Sequence, residues 1–350
     1  MAAWLKKRRT GPIGVDIGSH SVKLVQLDVE GAEIWESARW ELPRTVAADS
    51  NALDQIVVDA IRQAREGRNF RGREAVFCLG APALFVQNIR VPQTTAEDLP
   101  KVVRMEVAER LPFDAAKAEI RFLETVEVRQ ANGTRREVVV LACPQIAIDR
   151  LLDIAEQSAL TPTAIDVAPA AMLRAYVRQF RRDDDRESLA MFVNLGASTS
   201  VAVIGRGADV MFVKYLGVGG RHFDEAVAKH LHMDLAEAAA LRKQHSDRRA
   251  DQHDPEVAQT MSEAVRPVVE QLAAELALCI RYHSVTFRGL RLSQLVLSGG
   301  EANQSLADWL APRLDLTCDV GDPVRNFRQT PPGRAGQWDV ATGLAMRSAL

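Results

Sequence analysis

Residues 14–27, GVDIGSHSVKLVQL, place a carboxylate, two hydroxyl groups and a lysine around a tight glycine turn. Small residues in such a turn let consecutive backbone N–H groups converge on phosphate oxygens without interference from Cβ atoms. Ser19 and Ser21 add hydroxyl donors, and Asp16 at the mouth of the turn can hold Mg²⁺ through its water shell. Lys23 follows on the returning strand, where its amine can reach a bridging phosphate oxygen. The segment predicts a phosphate-binding turn, with an ordinary β-hairpin as the alternative.

A second segment repeats this arrangement. Residues 192–205, FVNLGASTSVAVIG, again give an apolar strand, a turn of small residues and a β-branched returning strand. Ser198 and Thr199 offer the hydroxyl groups of this copy. In both copies another turn and a third strand follow, at 34–42 and at 210–218. Because the repeat is longer than a short motif, it favours two related domains that bind phosphate between them.

A third segment, residues 295–314, predicts a buried strand, a turn of Ser298, Gly299 and Gly300, and an amphipathic helix. A glycine pair at this turn would let a flat adenine ring lie against bare backbone. A strand, two glycines and a helix are common in α/β proteins, so this motif alone is weak evidence. The order of the three motifs nevertheless resembles that of the actin-like ATPase superfamily. The resemblance implies a duplicated α/β fold of the actin-like, ribonuclease-H-like type, with ATP and Mg²⁺ between its two domains.

Length and composition agree with two soluble domains. The chain has 350 residues, 47% of them hydrophobic and 26% charged, which is enough for two cores of ordinary size. A net charge of −2 argues against nucleic-acid binding, which usually needs a basic surface. The four cysteines form no CxxC pair, so we predict neither a zinc site nor a disulfide framework. Since no apolar run has the length of a membrane span or a signal peptide, we expect a cytoplasmic protein.

An inserted α+β module is predicted between the two copies. A strand leads into a helix at about 95–110, and strands at 119–129 and 135–144 flank an Ala-Asn-Gly turn. A helix at about 145–158 completes the module. The order of these elements predicts a small sheet with helices on one face, within residues 82–162.

This module makes the resemblance more specific, because actin and the sugar kinases lack an insertion at this point whereas FtsA and PilM carry one. Residues 91–114, VPQTTAEDLPKVVRMEVAERLPFD, resemble the PilM form of the inserted subdomain. The stretch LGVGGRHFDEAVAKHL at 216–231 and the first glycine turn also resemble PilM. The chain is therefore identified as similar to the PilM family, in the FtsA-like branch of the superfamily, over residues 11–347.

The resemblance implies an organisation in three parts. Domain 1 would comprise residues 11–81, 163–189 and 325–350. The FtsA-type subdomain would comprise residues 82–162, and domain 2 would comprise residues 190–324, with a helical cap at about 221–289. It also implies a cytoplasmic scaffold at the inner face of the membrane, where a groove beside the subdomain holds the N-terminal cytoplasmic peptide of a bitopic PilN-like protein. Membrane association would then run through partners, which include other pilus platform and motor proteins.

The resemblance further implies a nucleotide site, residue by residue. The matching positions are Asp16, Gly18, Ser19, Ser21 and Lys23 in the first phosphate motif, with Asp16 at the metal; Asn194, Gly196, Ser198 and Thr199 in the second; Gly217, Gly219 and Gly220 in the connection below the nucleotide; and Ser298, Gly299 and Gly300 in the adenosine motif. Lys243 is assigned to the helix that approaches the ribose and adenine, although the register of that helix stays open.

Asn194 departs from the family pattern, which usually has aspartate at the head of the second phosphate motif. An amide can hydrogen-bond to water, but it brings no charge to the metal and cannot act as a base. We therefore expect nucleotide binding with weak or absent ATP hydrolysis.

Two alternatives stay open on the same fold. A sugar-kinase-like enzyme would need a carboxylate base in the first domain, and Asp166 is the one candidate that the sequence offers. A filament-forming FtsA-like protein would end in a linker and an amphipathic membrane helix, whereas this sequence ends at DVATGLAMRSAL. The closing segment therefore favours the pilus scaffold over the filament.

Overall fold

The computed structural model describes residues 10–43, 50–130, 133–179, 188–247, 254–287 and 291–348. Its strands are β1 (Thr10–Ile17), β2 (Ser21–Asp28), β3 (Ile34–Glu41), β4 (Glu74–Leu79), β5 (Phe85–Pro92), β6 (Ala118–Gln130), β7 (Gly133–Pro144), β8 (Thr161–Val167), β9 (Leu189–Leu195), β10 (Ser200–Arg206), β11 (Asp209–Leu216), β12 (Gln294–Ser298) and β13 (Thr317–Val320). Its α-helices are α1 (Ser50–Arg65), α2 (Leu99–Ala108), α3 (Gln145–Gln157), α4 (Ala168–Val177), α5 (Gly220–Leu231), α6 (Leu235–Asp247), α7 (Pro255–Thr286), α8 (Gln304–Leu314) and α9 (Asp339–Ala345). The Ala-Asn pair of the predicted hairpin turn lies outside the described residues.

Two five-stranded sheets share one topology. The first sheet has the order β3-β2-β1-β4-β8, and the second sheet has the order β11-β10-β9-β12-β13. In each, three antiparallel strands are followed by two parallel strands on the other side of the central one. The duplication that the repeated segments predict is thus confirmed, and β1 and β9 occupy equivalent central positions.

Strand β9 shows why a central strand positions one polar side chain so well. Its residues from Leu189 to Leu195 are apolar at every place except Asn194. Alternate side chains enter two different cores, with Met191 on one face and Phe192 on the other. A strand that is covered on both faces loses the usual alternation of polar and apolar residues. Asn194 therefore lies on the same face as Phe192, toward the junction between the two halves.

The inserted sheet is antiparallel, with the order β5-β7-β6, and α2 covers one of its faces. Helix α2 begins at Leu99, four residues later than the sequence predicts. The reason is local: the Thr95 hydroxyl donates to Asp98 Oδ2 over 2.8 Å and accepts from the Asp98 amide, which forms a separate turn. Pro100 then falls in the first helical turn, where its missing N–H costs no hydrogen bond.

Helix α3 packs differently from the prediction that groups it with the inserted module. Its Leu151, Ile154 and Ala155 share a core with Ile61 of α1 and Phe77 of β4. Strand β8, which begins at residue 161, pairs with β4 in the first sheet. The apolar face of α3 is thus buried against the larger sheet that flanks it. The division of the chain at 82–162 stays a prediction, while packing groups α3 with the first sheet.

The second face of the inserted sheet packs on the other half of the molecule. Because neighbours in a strand point to opposite faces, Val138 packs against α2, whereas Val139 joins a core with Val203 and Val213 of the second sheet. Asn88 of β5 bonds to both backbone groups of Val213, donating to the carbonyl oxygen over 2.9 Å. The inserted sheet is therefore continuous in packing with the second sheet.

An ion pair within the inserted sheet forms hydrogen bonds to α7 of the second half. Glu137 of β7 is fully buried, and its carboxylate accepts from Arg90 Nε over 2.8 Å and from the hydroxyl of Tyr282 on α7. Arg90 also donates to the Thr286 hydroxyl over 2.7 Å. Burial, followed by the hydrogen bond to Glu137, raises the pKa of Tyr282. One carboxylate thus links the inserted sheet to the longest helix of the second half.

Helix α9 closes the first half. Ala341 packs beside Val25 of β2, and Val340 packs beside Val76 of β4. Its N-terminus also lies against the second sheet, since the Gly299 amide donates to the Gly336 carbonyl oxygen over 3.0 Å. The start of α9 is consequently a junction between the halves. Among the residues that the structure describes, no helix has both the length and the apolarity to cross a membrane.

Candidate nucleotide site between the two sheets

The two predicted phosphate turns meet in the folded chain. Each follows the central strand of its sheet, and the Ser198 hydroxyl donates to the Ser19 hydroxyl over 2.9 Å. Gly18 donates its amide to the Ser21 carbonyl oxygen over 3.0 Å, which closes the first turn. In the second turn a Cβ at Gly196 would lie 2.6 Å from the Thr199 carbonyl oxygen, so a side chain there would force the turn open. The duplicated segments therefore form one site with two facing turns.

Asp16 and Lys23 form an ion pair at the base of the first turn. They are cross-strand neighbours on β1 and β2, with 2.8 Å between Asp16 Oδ2 and Lys23 Nζ. Each side chain keeps about one-seventh of its exposure, 15% for Asp16 and 14% for Lys23. The two charges neutralise each other at this point. A metal ion bound to phosphate could replace this ion pair, because the metal would be a cation for Asp16 and the phosphate would be an anion for Lys23.

The donor set fits a magnesium ion that is held largely by phosphate and water. Within the described ranges, no group of three or more histidine, cysteine, aspartate or glutamate side chains could hold a metal ion by itself. Mg²⁺ in nucleotide sites usually keeps several waters and takes one or two carboxylates beside the phosphates. Asp16, which is partly exposed beside the turn, suits that arrangement as a single carboxylate.

The second turn has a carboxylate that sequence reasoning missed. Asp339, the first residue of α9, is fully buried and accepts from Asn194 Nδ2, at 2.8 Å to each of its two oxygens. It also accepts from the Ser298 hydroxyl over 2.7 Å and from the Val340 amide over 2.7 Å. Burial raises the pKa of Asp339 to about 6, although these hydrogen bonds oppose the shift. The available signal was a lone acidic residue at the start of the otherwise apolar DVATGLA helix.

The glycines of the site fall into two groups. Gly219 and Gly299 are required by the packing of the chain itself, because a Cβ at each would lie 2.4–2.5 Å from a backbone atom, whereas a Cβ at Gly220 would lie 2.5 Å from the side chain of Glu301. Gly299 also has φ +92°, a conformation that favours glycine. A Cβ at Gly217 or Gly300 would meet no atom within 4 Å. At these two positions the surface is open, and a flat ligand could approach the backbone.

Arg242 is a largely covered basic residue beside the Gly300 turn, with 16% of its side chain exposed. Its guanidinium bonds to Asp224 of α5 over 2.6 Å and to Glu301, directly after the turn, over 2.6 Å. Lys243, the residue that the family pattern assigns, is exposed and lies 3.6 Å from Glu41 of β3. The neighbouring position on α6 thus faces the site, while Lys243 connects the outer edges of the two halves. Arg242 and Lys243 are adjacent in sequence, but they point in different directions from α6 and have different partners.

Asp166, the candidate base of a kinase, has strong partners of its own. Its side chain keeps 5% of its exposure and accepts from Arg174 over 3.0 Å and from Arg347 over 2.7 Å. Both guanidinium groups contact Oδ2, and the Val167 amide donates to Oδ1 over 2.8 Å, so each oxygen has a partner. A general base needs a free oxygen within hydrogen-bond reach of the substrate. This arrangement suits a structural ion pair between β8, α4 and the C-terminal segment.

A groove of about 710 Å³ lies outside the two turns. It runs between α4 and β6, and its lining includes Phe122, Leu123, Glu124, Leu173, Arg174 and Val177, with Gly31 and Val210 at its borders. Among the described strands, β6 pairs with β7 alone, so one backbone edge of β6 has no strand beside it. The groove therefore combines an apolar floor with an unpaired strand edge.

Comparison with known proteins decides the family. The family model described as type IV pilus assembly protein PilM matches residues 14–349 of this chain. The chain belongs to the PilM family. The resemblance stated from the three motifs and the inserted module is thus confirmed. In this PilM-family chain, the two turns, Asp339 and Arg242 surround one junction between the sheets.

Solved structures agree on the fold. The PilM-family chain is similar to a solved structure of a PilM-PilN type IV pilus biogenesis complex, with a TM-score of 0.78, 22% identity, and coverage of 97% of this chain and 99% of that chain. Ethanolamine utilization protein EutJ from Carboxydothermus hydrogenoformans follows at a TM-score of 0.57 and 15% identity, over 96% of this chain and 89% of that one. A Bacteroides thetaiotaomicron protein with an actin-like ATPase fold has a TM-score of 0.50 at 7% identity, over 98% of each chain. These likenesses confirm the predicted actin-like fold.

Proposed function

We propose that this PilM-family protein is a nucleotide-responsive scaffold of the type IV pilus assembly platform, at the cytoplasmic face of the inner membrane. The observation that carries the proposal is the convergence of the two duplicated turns at Ser19 and Ser198. Mg·ATP would separate this contact and take its place. Its phosphates would accept from the N–H and hydroxyl groups of the turns, Asp16 would hold the hydrated Mg²⁺, and Lys23 would pair with phosphate.

The nucleotide in this proposal acts as a ligand that selects a conformation. Asn194 donates to Asp339 and supplies no base, so hydrolysis is slow or absent. A ligand shifts a conformational equilibrium by its difference in affinity for the two states. Mg·ATP, which would lie between the two turns, binds an arrangement in which both turns reach its phosphates better than one in which they touch each other or lie far apart. The bound nucleotide therefore sets the position of the two halves relative to each other.

The paired replacement of Asp16 by asparagine and Lys23 by methionine tests the site. Because these two charges neutralise each other, the double variant leaves no uncompensated charge behind and is expected to fold. It loses one metal contact and one charge-assisted phosphate contact, together worth about 3 kcal/mol, or roughly 100-fold in affinity. Titration calorimetry with Mg·ATP measures the loss.

The matched control is the exposed pair Arg313 and Glu270, which lies 2.8 Å apart on α8 and α7. Changing Arg313→Met with Glu270→Gln should leave ATP affinity and Tm unchanged. If the wild-type protein does not bind Mg·ATP, the nucleotide part of the proposal fails. Equal affinity in the wild type and the Asp16, Lys23 variant would place the nucleotide elsewhere.

The groove between α4 and β6 is the proposed site for the N-terminal peptide of a PilN-like membrane partner. An extended peptide can add to the unpaired edge of β6 through main-chain hydrogen bonds, while its apolar side chains pack on the floor of the groove. The similar solved complex pairs PilM with PilN, which supports this choice of partner. The peptide would also account for membrane association, because it belongs to a membrane-spanning protein.

Val177→Glu is the variant that tests the groove. Val177 lies half-buried on α4 in the lining of the groove, so a carboxylate there desolvates at a cost when an apolar peptide binds. We expect peptide affinity to fall at least about tenfold by fluorescence anisotropy, with ATP affinity unchanged. Ile146→Glu, at a position on α3 that is 75% exposed, is the control and should bind peptide like the wild type. Unchanged peptide binding by Val177→Glu would move the partner site away from this groove.

A further inference from the structure

The contact between Asn194 and Asp339 joins the two halves at the second phosphate turn. Asn194 belongs to β9 of the second sheet, whereas Asp339 begins α9, which packs against β1 and β2 of the first. Both Asp339 oxygens lie 2.8 Å from Asn194 Nδ2. The backbone bond from Gly299 to Gly336 lies beside this contact. A side-chain pair from β9 and a main-chain bond from the turn after β12 therefore connect the second half to the segment 336–339.

The chemistry of the pair fixes the orientation of the amide. An ionised carboxylate can only accept hydrogen bonds, so the NH₂ group of Asn194 must face Asp339. The carbonyl oxygen of that amide then faces the other way, toward the turn, where a Cβ at Gly196 would lie 3.9 Å from Asn194 Oδ1. Without the carboxylate, nothing in this contact would distinguish the two ends of the amide.

The pair also accounts for an asparagine at position 194. An aspartate there would place a second carboxylate at hydrogen-bond distance from the fully buried Asp339. Two carboxylates in contact cannot both be ionised without a large cost. Asparagine removes that repulsion and keeps the hydrogen bonds. The identity of one residue therefore depends on the identity of the other.

We propose that Asp339 is a positioning residue for the second phosphate turn. It orients the Asn194 amide so that a neutral oxygen points toward the hydration shell of a Mg²⁺ bound with ATP. The inference rests on the proposed function for its ligand, while the exchange between the two positions depends on this chain alone.

The reciprocal exchange tests the proposal. Asn194→Asp alone puts two carboxylates together and should lower Tm by at least about 5 °C. Adding Asp339→Asn restores one amide and one carboxylate, and Tm should return to within about 2 °C of the wild-type value. Asn303→Asp, at the N-cap of α8, adds the same charge where it can still accept from the Leu306 amide, and it should leave Tm unchanged. If the effects on Tm are additive, the proposal is overturned whether or not the protein binds ATP.

The affinity for ATP tests the role toward the ligand. Asp339→Asn keeps the shape of the contact but lets the Asn194 amide turn either way. We expect the ratio of ATP affinities with Mg²⁺ and with EDTA to fall at least about fivefold in this variant. It should recover in the double exchange variant. An unchanged ratio in Asp339→Asn would overturn the positioning role. A wild-type protein that binds no ATP would overturn the proposed function instead, and the Tm comparison would then test whether Asn194 and Asp339 depend on each other.

Discussion

Replacing Arg90 by methionine is expected to lower the free energy of unfolding by about 3–5 kcal/mol, because it leaves a buried carboxylate without its cation. Glu137 is fully buried, and Arg90 keeps 31% of its exposure. After the change, the Tyr282 hydroxyl is the remaining side-chain donor to Glu137 among the contacts described above. One neutral hydrogen bond does not compensate a buried charge. Urea unfolding followed by circular dichroism measures the change.

The same substitution on the surface of the inserted sheet is the control. Arg121 forms a pair with Glu119 over 2.7 Å, but Arg121 is 80% exposed. Exposed pairs contribute about 0–1 kcal/mol, so Arg121→Met should be nearly silent. Combining Arg90→Met with Glu137→Met removes both charges and should recover most of the stability. Equal effects of Arg90→Met and Arg121→Met would show that Glu137 is not held as a buried charge.

The second large effect is expected from Gly343→Ala, which should destabilise the protein by more than about 3 kcal/mol. A Cβ at Gly343 would lie 1.8 Å from the carbonyl oxygen of Ala171, on the backbone of α4. The backbone fixes the positions of both atoms, so α4 and α9 must separate to make room. Helix propensity alone predicts the opposite sign, since alanine stabilises a helix by about 1 kcal/mol relative to glycine.

Gly217→Ala is the control for this prediction, because a Cβ at Gly217 meets no atom within 4 Å. The Tm of Gly217→Ala should stay within about 2 °C of the wild-type value. Gly343→Ala should lower Tm by roughly 6 °C or more, as a loss of about 3 kcal/mol would in a protein of this length. Thermal unfolding of both variants makes the comparison. A Gly343→Ala protein as stable as the wild type would mean that the two helices are not in backbone contact.

The duplicated architecture was predictable because its signals are local. Each copy places a small-residue turn between a strand of apolar residues and a β-branched strand, and the two copies need no tertiary knowledge to be compared. The convergence of Ser19 and Ser198 follows from the duplication, since equivalent strands occupy the centres of their sheets. The sequence therefore predicts both the fold and the meeting of the turns.

The remaining details depend on long-range packing. Asp339 lies far along the chain from Asn194, and its apolar surroundings in sequence suggest an ordinary closing helix. Arg242 and Lys243 are adjacent cations, so only the packing of α6 shows which one is buried. Helix α3 follows the inserted sheet in sequence but finds its apolar partner on the first sheet. In each case the deciding contact joins residues that a local pattern does not relate.

The inserted sheet is connected by the chain to the first half of the molecule, but it packs on the second half. The chain enters it from β4 and leaves it toward α3, both in the first half, yet its buried contacts through Val139, Asn88 and Glu137 are with the second. A motion that separates the halves is expected to strain the two connecting segments first, because the core around Val139 and the hydrogen bonds from Tyr282 to Glu137 and from Arg90 to Thr286 hold the inserted sheet to the second half. We therefore expect the inserted sheet to keep its place on the second half when the two halves move.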